Sequence, residues 1–81
     1  MFKLASDLES VYTDLRFDIS RRCFAKIVRE VQRYVSASPW AIVDFINGGS
    51  EGWNMPQEEQ QAYYDHHTTH QIADWIIAGL K

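Results

Sequence analysis

The chain has 81 residues, of which 46% are hydrophobic and eleven are Phe, Tyr or Trp, with one cysteine and a formal net charge of −3. These values exclude a disordered chain, an internal disulfide framework and two independent domains, each of which would need about 50 residues. No apolar run approaches the roughly 20 residues of a membrane helix, and the N-terminus lacks the apolar stretch of a signal peptide. We therefore expect one domain, residues 1–81, in the reducing cytoplasm and without a membrane partner.

Two helices are predicted in the first half of the chain. The first spans residues 7–16, and Ser6 with Glu9 fits the capping box at its start. The second spans residues 19–36 with Asp18 as its N-cap. Its apolar residues recur at helical spacing and predict one buried face, made of Phe24, Ile27, Val28, Val31 and Val35.

The second half predicts two or three more helices. Ser38 followed by Pro39 is typical of a helix start, and Gly48 is placed to end that helix in a left-handed conformation. Pro56 begins the next helix. We expect a break near Thr68, where Thr68 and Gln71 fit a second capping box, although one continuous helix to residue 78 is the alternative. The predicted fold is all-α, a small compact bundle of four or five short helices with irregular or orthogonal packing.

The second helix also carries a candidate binding surface. Four basic residues lie within about 60° of one another on the side opposite the apolar residues, and we call them the basic face: Arg22, Lys26, Arg29 and Arg33. Such a surface is typical of a contact with phosphate or with acidic side chains of a partner. The alternative is a solvated helix face balanced by acids of neighbouring helices, namely Asp7, Asp14, Glu58 and Glu59.

Candidate catalytic and metal-binding groups are sparse. His66, His70 and Asp74 share one strip and could meet one divalent metal ion only if the last helix is continuous. The alternative is a cluster of exposed or half-buried histidines, in which His70 and Asp74 can form an ion pair. Cys23 borders the apolar face, where burial raises a thiol pKa, so we interpret it as a packing residue. The expectation is therefore no catalytic residue, no metal, no cofactor and no enzymatic activity.

A second candidate surface follows the glycine-rich segment at residues 48–52. Trp53, Tyr63 and Tyr64 form this aromatic patch, and aromatic residues dominate interface hot spots. We expect Trp53 to be the least buried tryptophan, because three nearby glycines free its backbone, whereas Trp40 and Trp75 belong to the core. The alternative is that Trp53 fills a gap in the core.

These features favour a small protein-binding module or inhibitor that acts by occupying a surface of a larger protein or complex. Acidic chains of this size are frequent among phage and mobile-element accessory proteins, of which a host-defence antagonist is one kind. The alternative is a regulator that binds nucleic acid through the basic face. It ranks second because this face is poor in the Asn and Gln residues that read base edges and lacks interleaved aromatic residues. A homodimer is compatible with both.

Overall fold

Five helices make up most of the structure. The computed structural model describes residues 4–48 and 56–81, and among these residues it contains no strand. The helices are α1 (Ser6–Tyr12), α2 (Arg21–Tyr34), α3 (Pro39–Gly48), α4 (Gln57–His66) and α5 (Thr69–Leu80). The predicted fold class, a small all-α bundle, is confirmed.

The core lies around α2 and α5, which share the largest contact between any two helices. α3 packs against α5, and α1 packs against both α3 and α2. The largest fully buried side chains are Val11, Phe24, Ile27, Val31, Ile42, Val43, Ile46, Ile72 and Ile76. A Val, Ile or Phe side chain contributes about 1.5–3 kcal/mol when it is fully buried, so the core is the main source of stability.

The first helix is shorter than predicted, and its predicted capping box is wrong. Ala5 is the N-cap, and no side chain in the described part of the chain caps this end of α1. The helix ends at Tyr12 rather than at residue 16. The Asp14 carbonyl and the Arg16 backbone N–H both bond to the Asn47 side chain, so they do not continue the hydrogen bonds of α1. Beyond them Phe17 and Ile19 are both buried, and residues two apart reach the same side only in an extended chain.

The segment from residue 13 to residue 20 is held by side-chain amides of two later helices. Asn47 of α3 accepts a bond from the Arg16 backbone N–H at 2.9 Å. Gln61 of α4 accepts from the Asp18 backbone N–H at 2.7 Å and donates to the Asp18 carbonyl at 3.0 Å. Asp18 is therefore not the cap of α2. Ser20 is the cap, and its hydroxyl accepts from the Cys23 backbone N–H at 3.1 Å.

The predicted start of α3 is confirmed, and its predicted end is not. The Ser38 hydroxyl accepts a bond from the Ala41 backbone N–H at 3.2 Å, and Pro39 is the first helical residue. Gly48 is still helical, and its φ lies outside the left-handed range.

The break near Thr68 is confirmed, so α4 and α5 are separate helices. Thr68 and Gln71 form a reciprocal capping box, with bonds of 3.1 Å and 2.9 Å between side chain and backbone. The break lets α4 bury Gln60 and Tyr64, while α5 buries a separate apolar face. The Gln60 side chain donates to the Ile46 carbonyl at 3.1 Å and thereby ties α4 to α3.

Candidate basic binding surface

The basic face is built by the amphipathic pattern of α2. Burial of Phe24, Ile27, Val28 and Val31 fixes the rotation of the helix and turns the four basic side chains outward. All four are exposed, as the sequence predicted. From Arg22 to Arg33 they extend over about 16 Å of helix length. The result is a continuous cationic strip along one exposed side of the bundle.

Most of this positive charge is not neutralised within the described part of the chain. Arg33 lies 3.4 Å from Glu30 on its own helix. Arg22, Lys26 and Arg29 form no ion pair with any described residue. The four acids that the solvation alternative assigned to the basic face are exposed, and none of them pairs with it: Asp7, Asp14, Glu58 and Glu59.

The neighbouring Arg21 shows the opposite behaviour and marks the edge of the surface. Its guanidinium donates three bonds of 2.8–3.1 Å to the Glu9 carboxylate. It also lies 5.0 Å from the centre of the Tyr12 ring. The hydrogen bond to Glu9 raises the pKa of Arg21. Arg21 therefore joins α2 to α1, while the next residue, Arg22, projects into solvent.

Shallow grooves run along both sides of the basic face. One, of about 180 Å³, lies between α2 and α5 and is lined by Lys26, Arg29, Glu30, Arg33, Thr69 and His70. The other, of about 300 Å³, lies between α1 and α2 and is lined by Leu8, Ala25, Val28, Arg29, Gln32 and Arg33. Arg29 and Arg33 line both grooves and so separate one groove from the other. The sequence did not predict the grooves, since their walls come from helices distant in the chain.

Two aromatic side chains are exposed at the end of α2 and the start of α3. Tyr34 directly follows Arg33 and is 61% exposed, and Trp40 is 52% exposed. The prediction that Trp40 is a core residue is therefore wrong. Helical geometry explains this, because Trp40 lies more than 100° around α3 from the centre of its buried face. That face consists of Ile42, Val43 and Ile46.

The predicted aromatic patch is not assembled as a surface by the described residues. Trp53 lies outside them. Tyr64 is only 6% exposed and packs edge-on against Phe17 at 5.1 Å, so it belongs to the core. Burial raises the pKa of Tyr64 from 10.0 to about 12. Tyr63 is half-buried and stacks on His67 at 3.8 Å.

The third tryptophan, Trp75, is partly buried against the core. It contacts the Phe45 ring edge-on at 4.9 Å. The prediction that Trp75 is a core residue is thus confirmed in part.

The histidines do not converge on one point. The helix break places His66 on α4 and His70 on α5. His70 lies between two carboxylates, with Nδ1 3.6 Å from Glu30 and Nε2 3.4 Å from Asp74. The predicted pairing of His70 with Asp74 is thus present. Among the described residues, no group of three or more His, Cys, Asp or Glu side chains is placed to hold a metal ion.

Cys23 has the environment of a packing residue. It is half-buried against the core, and this burial raises the pKa of the thiol, although the charge of Lys26 acts in the opposite direction. A raised pKa keeps the sulfur protonated and weakly nucleophilic at neutral pH.

Comparisons with models of known protein families, with curated proteins and with solved structures found no match. No helix in residues 4–48 or 56–81 is long and apolar enough to cross a membrane. Any conclusion about function therefore depends on the chemistry of the surfaces described above.

Proposed function

We propose that this chain is a small protein-binding module that attaches through its basic face to an acidic surface of a larger protein or complex. One observation carries the proposal: Arg22, Lys26 and Arg29 are exposed on one side of α2 and have no ion-pair partner among the described residues. A partner that supplies carboxylates at these positions would neutralise charges that the fold leaves unpaired.

The side chains of this surface suit recognition of protein carboxylates. A guanidinium presents its N–H groups as a rigid fork that matches the two oxygens of a carboxylate. The exposed Tyr34 and Trp40 lie at the C-terminal end of the same helix and just beyond it. Arg is, with Tyr and Trp, among the residues most enriched at interface hot spots, and the basic face presents three arginines, so its composition is compatible with a protein interface.

Nucleic-acid binding is the alternative, because phosphates would also neutralise the basic face. Two features support protein binding instead. The chain carries a net charge of −3, which opposes general attraction to a polyanion. Gln32, the one side-chain amide of α2, donates to the Ala37 carbonyl at 3.0 Å, so a contact within the chain already orients it and one of its two N–H donors is used.

Within the protein-binding class we favour an inhibitor or accessory factor, of which a phage or mobile-element antagonist of host defence is one kind. A chain of 81 residues blocks a surface by occupying it, which requires no catalytic cleft. Such a protein acts by steric blocking, and its affinity depends on how well the basic face matches the partner surface.

The experiment compares three immobilised proteins as baits for a cell lysate: the wild type, an Arg22→Glu/Arg29→Glu variant, and an Arg16→Glu/Lys81→Glu control. The control has the same charge change, but its two exposed residues lie outside the basic face. We expect a protein that the wild type and the control capture, that the first variant loses, and whose capture survives nuclease treatment.

Capture that nuclease abolishes would instead support the nucleic-acid alternative. Equal loss in both variants would show that net charge alone governs binding, and would contradict a specific role for the basic face.

A further inference from the structure

We infer that the segment of the partner that contacts this surface is acidic and amphipathic, placing carboxylates on Arg29 and Arg33 and an apolar side chain in the groove between α1 and α2. This inference rests on the proposed function and specifies the chemistry of the partner.

The floor of this groove is apolar. Leu8 of α1 and Ala25 and Val28 of α2 line it with carbon atoms, and Leu8 is only half-buried. The volume of about 300 Å³ lies at the lower end of the range for ligand pockets, and an open groove of this size suits one or two side chains. Covering the exposed part of Leu8 would remove apolar surface from water, which favours an apolar occupant.

The rim of the same groove is cationic. Arg29 and Arg33 lie four residues apart on α2, so their side chains are neighbours about 6 Å apart at their bases. Carboxylates three or four residues apart on a helical partner have the same separation. An apolar residue beside two such acids on the partner helix would enter the groove while each acid meets one arginine. Arg33 can accept this second carboxylate because its side chain stays 63% exposed next to Glu30.

Charge distinguishes this groove from the one on the other side of α2. The groove beside α5 includes the Glu30 carboxylate, which lies 3.4 Å from Arg33 and repels an incoming acid. None of the described residues that line the groove beside α1 is acidic. The phosphates of a nucleic acid could bind the arginines of the rim, but they would leave the apolar floor of the groove in contact with water. A cationic rim beside an apolar floor therefore favours an acidic peptide over a nucleic acid.

The test selects peptides from a displayed library of random 16-residue sequences, with the wild-type protein as bait. We expect enrichment of sequences with several Asp or Glu residues around one or two large apolar residues. The strongest peptide is then synthesised with a fluorescent label, and its Kd is measured by anisotropy. Arg29→Glu should weaken binding at least tenfold, the Arg16→Glu control should change it less than twofold, and replacing the apolar peptide residue by Ser should also weaken it at least tenfold.

Photo-cross-linking locates the peptide on the wild-type protein, so no further variant is needed. A photo-reactive leucine at the apolar position of the peptide should cross-link to residue 8 or to residues 25–33, as mapped by mass spectrometry.

Two kinds of failure are distinguishable. Acidic peptides that need Arg29 but tolerate loss of their apolar residue, or that cross-link elsewhere, would overturn the groove inference and leave the proposed function standing. Selected peptides that are not acidic or are insensitive to Arg29→Glu, or a library that yields no binder, would overturn both.

Discussion

Arg22→Glu is expected to stabilise the fold while it weakens binding. Arg22 lies in the first turn of α2, where the helix dipole disfavours positive charge, and this turn contains no acidic residue. A carboxylate there gains about 0.3–1 kcal/mol from the dipole. It also replaces the repulsion between Arg22 and Lys26 with an i,i+4 attraction, which adds about 0.2–0.5 kcal/mol. Because Arg22 has no ion-pair partner among the described residues, no contact of this kind is lost.

Allowing for screening by salt, the expected gain in the free energy of unfolding is about 0.5–1 kcal/mol. In a domain of this size that raises Tm by about 2–8 °C. Urea and thermal unfolding followed by circular dichroism at low ionic strength measure the gain. Arg16→Glu is the matched control, because it makes the same charge change outside any helix and should alter stability by less than about 0.5 kcal/mol.

A loss of more than about 0.5 kcal/mol in Arg22→Glu would refute the reasoning, because it would show that Arg22 takes part in a stabilising ion-pair network. A variant that is more stable and binds less well would mean that Arg22 is retained for function at a cost in stability.

Four further outcomes are expected. Trp40→Ala should lower the free energy of unfolding by no more than about 1.5–2.5 kcal/mol in urea titrations, half of the roughly 3–5 kcal/mol for a buried tryptophan, because half of its surface is exposed. Thr68→Ala should cost about 1 kcal/mol in the same assay, because it removes the bond to the Gln71 backbone N–H. Burial raises the pKa of Tyr64 from 10.0 to about 12, so its contribution to folding stability is complete below pH 10.0 and is lost as the pH rises toward about 12. Tyr64→Phe should therefore reduce the loss of stability at alkaline pH in pH-dependent melts. Thermal melts with EDTA and with excess zinc should coincide, because the two His70 nitrogens face different carboxylates, and an upward shift with zinc that His70→Ala removes would contradict this.

Local chemistry made much of the fold predictable. The Ser38–Pro39 start and the Thr68–Gln71 capping box each depend on residues within four positions of one another, and both are present. The outward orientation of the basic face followed from the strong periodicity of α2. These features were predictable because a helix brings residues three and four apart together, whatever the rest of the chain does.

Features that depend on distant contacts were not predictable. The extended segment after α1 is held by Asn47 and Gln61, which are more than 30 positions away from the backbone groups they bind. Tyr64 is buried because Phe17 and Gln60 contact it, and α4 shows no clear apolar periodicity that would reveal this.

Trp40 was a different kind of error. The spacing of Ile42, Val43 and Ile46 already indicates that it lies beside their face of α3, so its exposure was available from the sequence. The mistake was to weigh residue type above angular position on the helix.

The central claim is that the basic face contacts the partner, and the arginine side-chain signals of the protein test it most directly. Two-dimensional ¹H–¹⁵N NMR follows each Nε–Hε resonance while the captured partner is added. The account predicts that the signals of Arg22, Arg29 and Arg33 shift or broaden, while those of Arg16 and Arg21 stay in place. Unchanged signals on the basic face, or changes confined to Arg16 and Arg21, would contradict it.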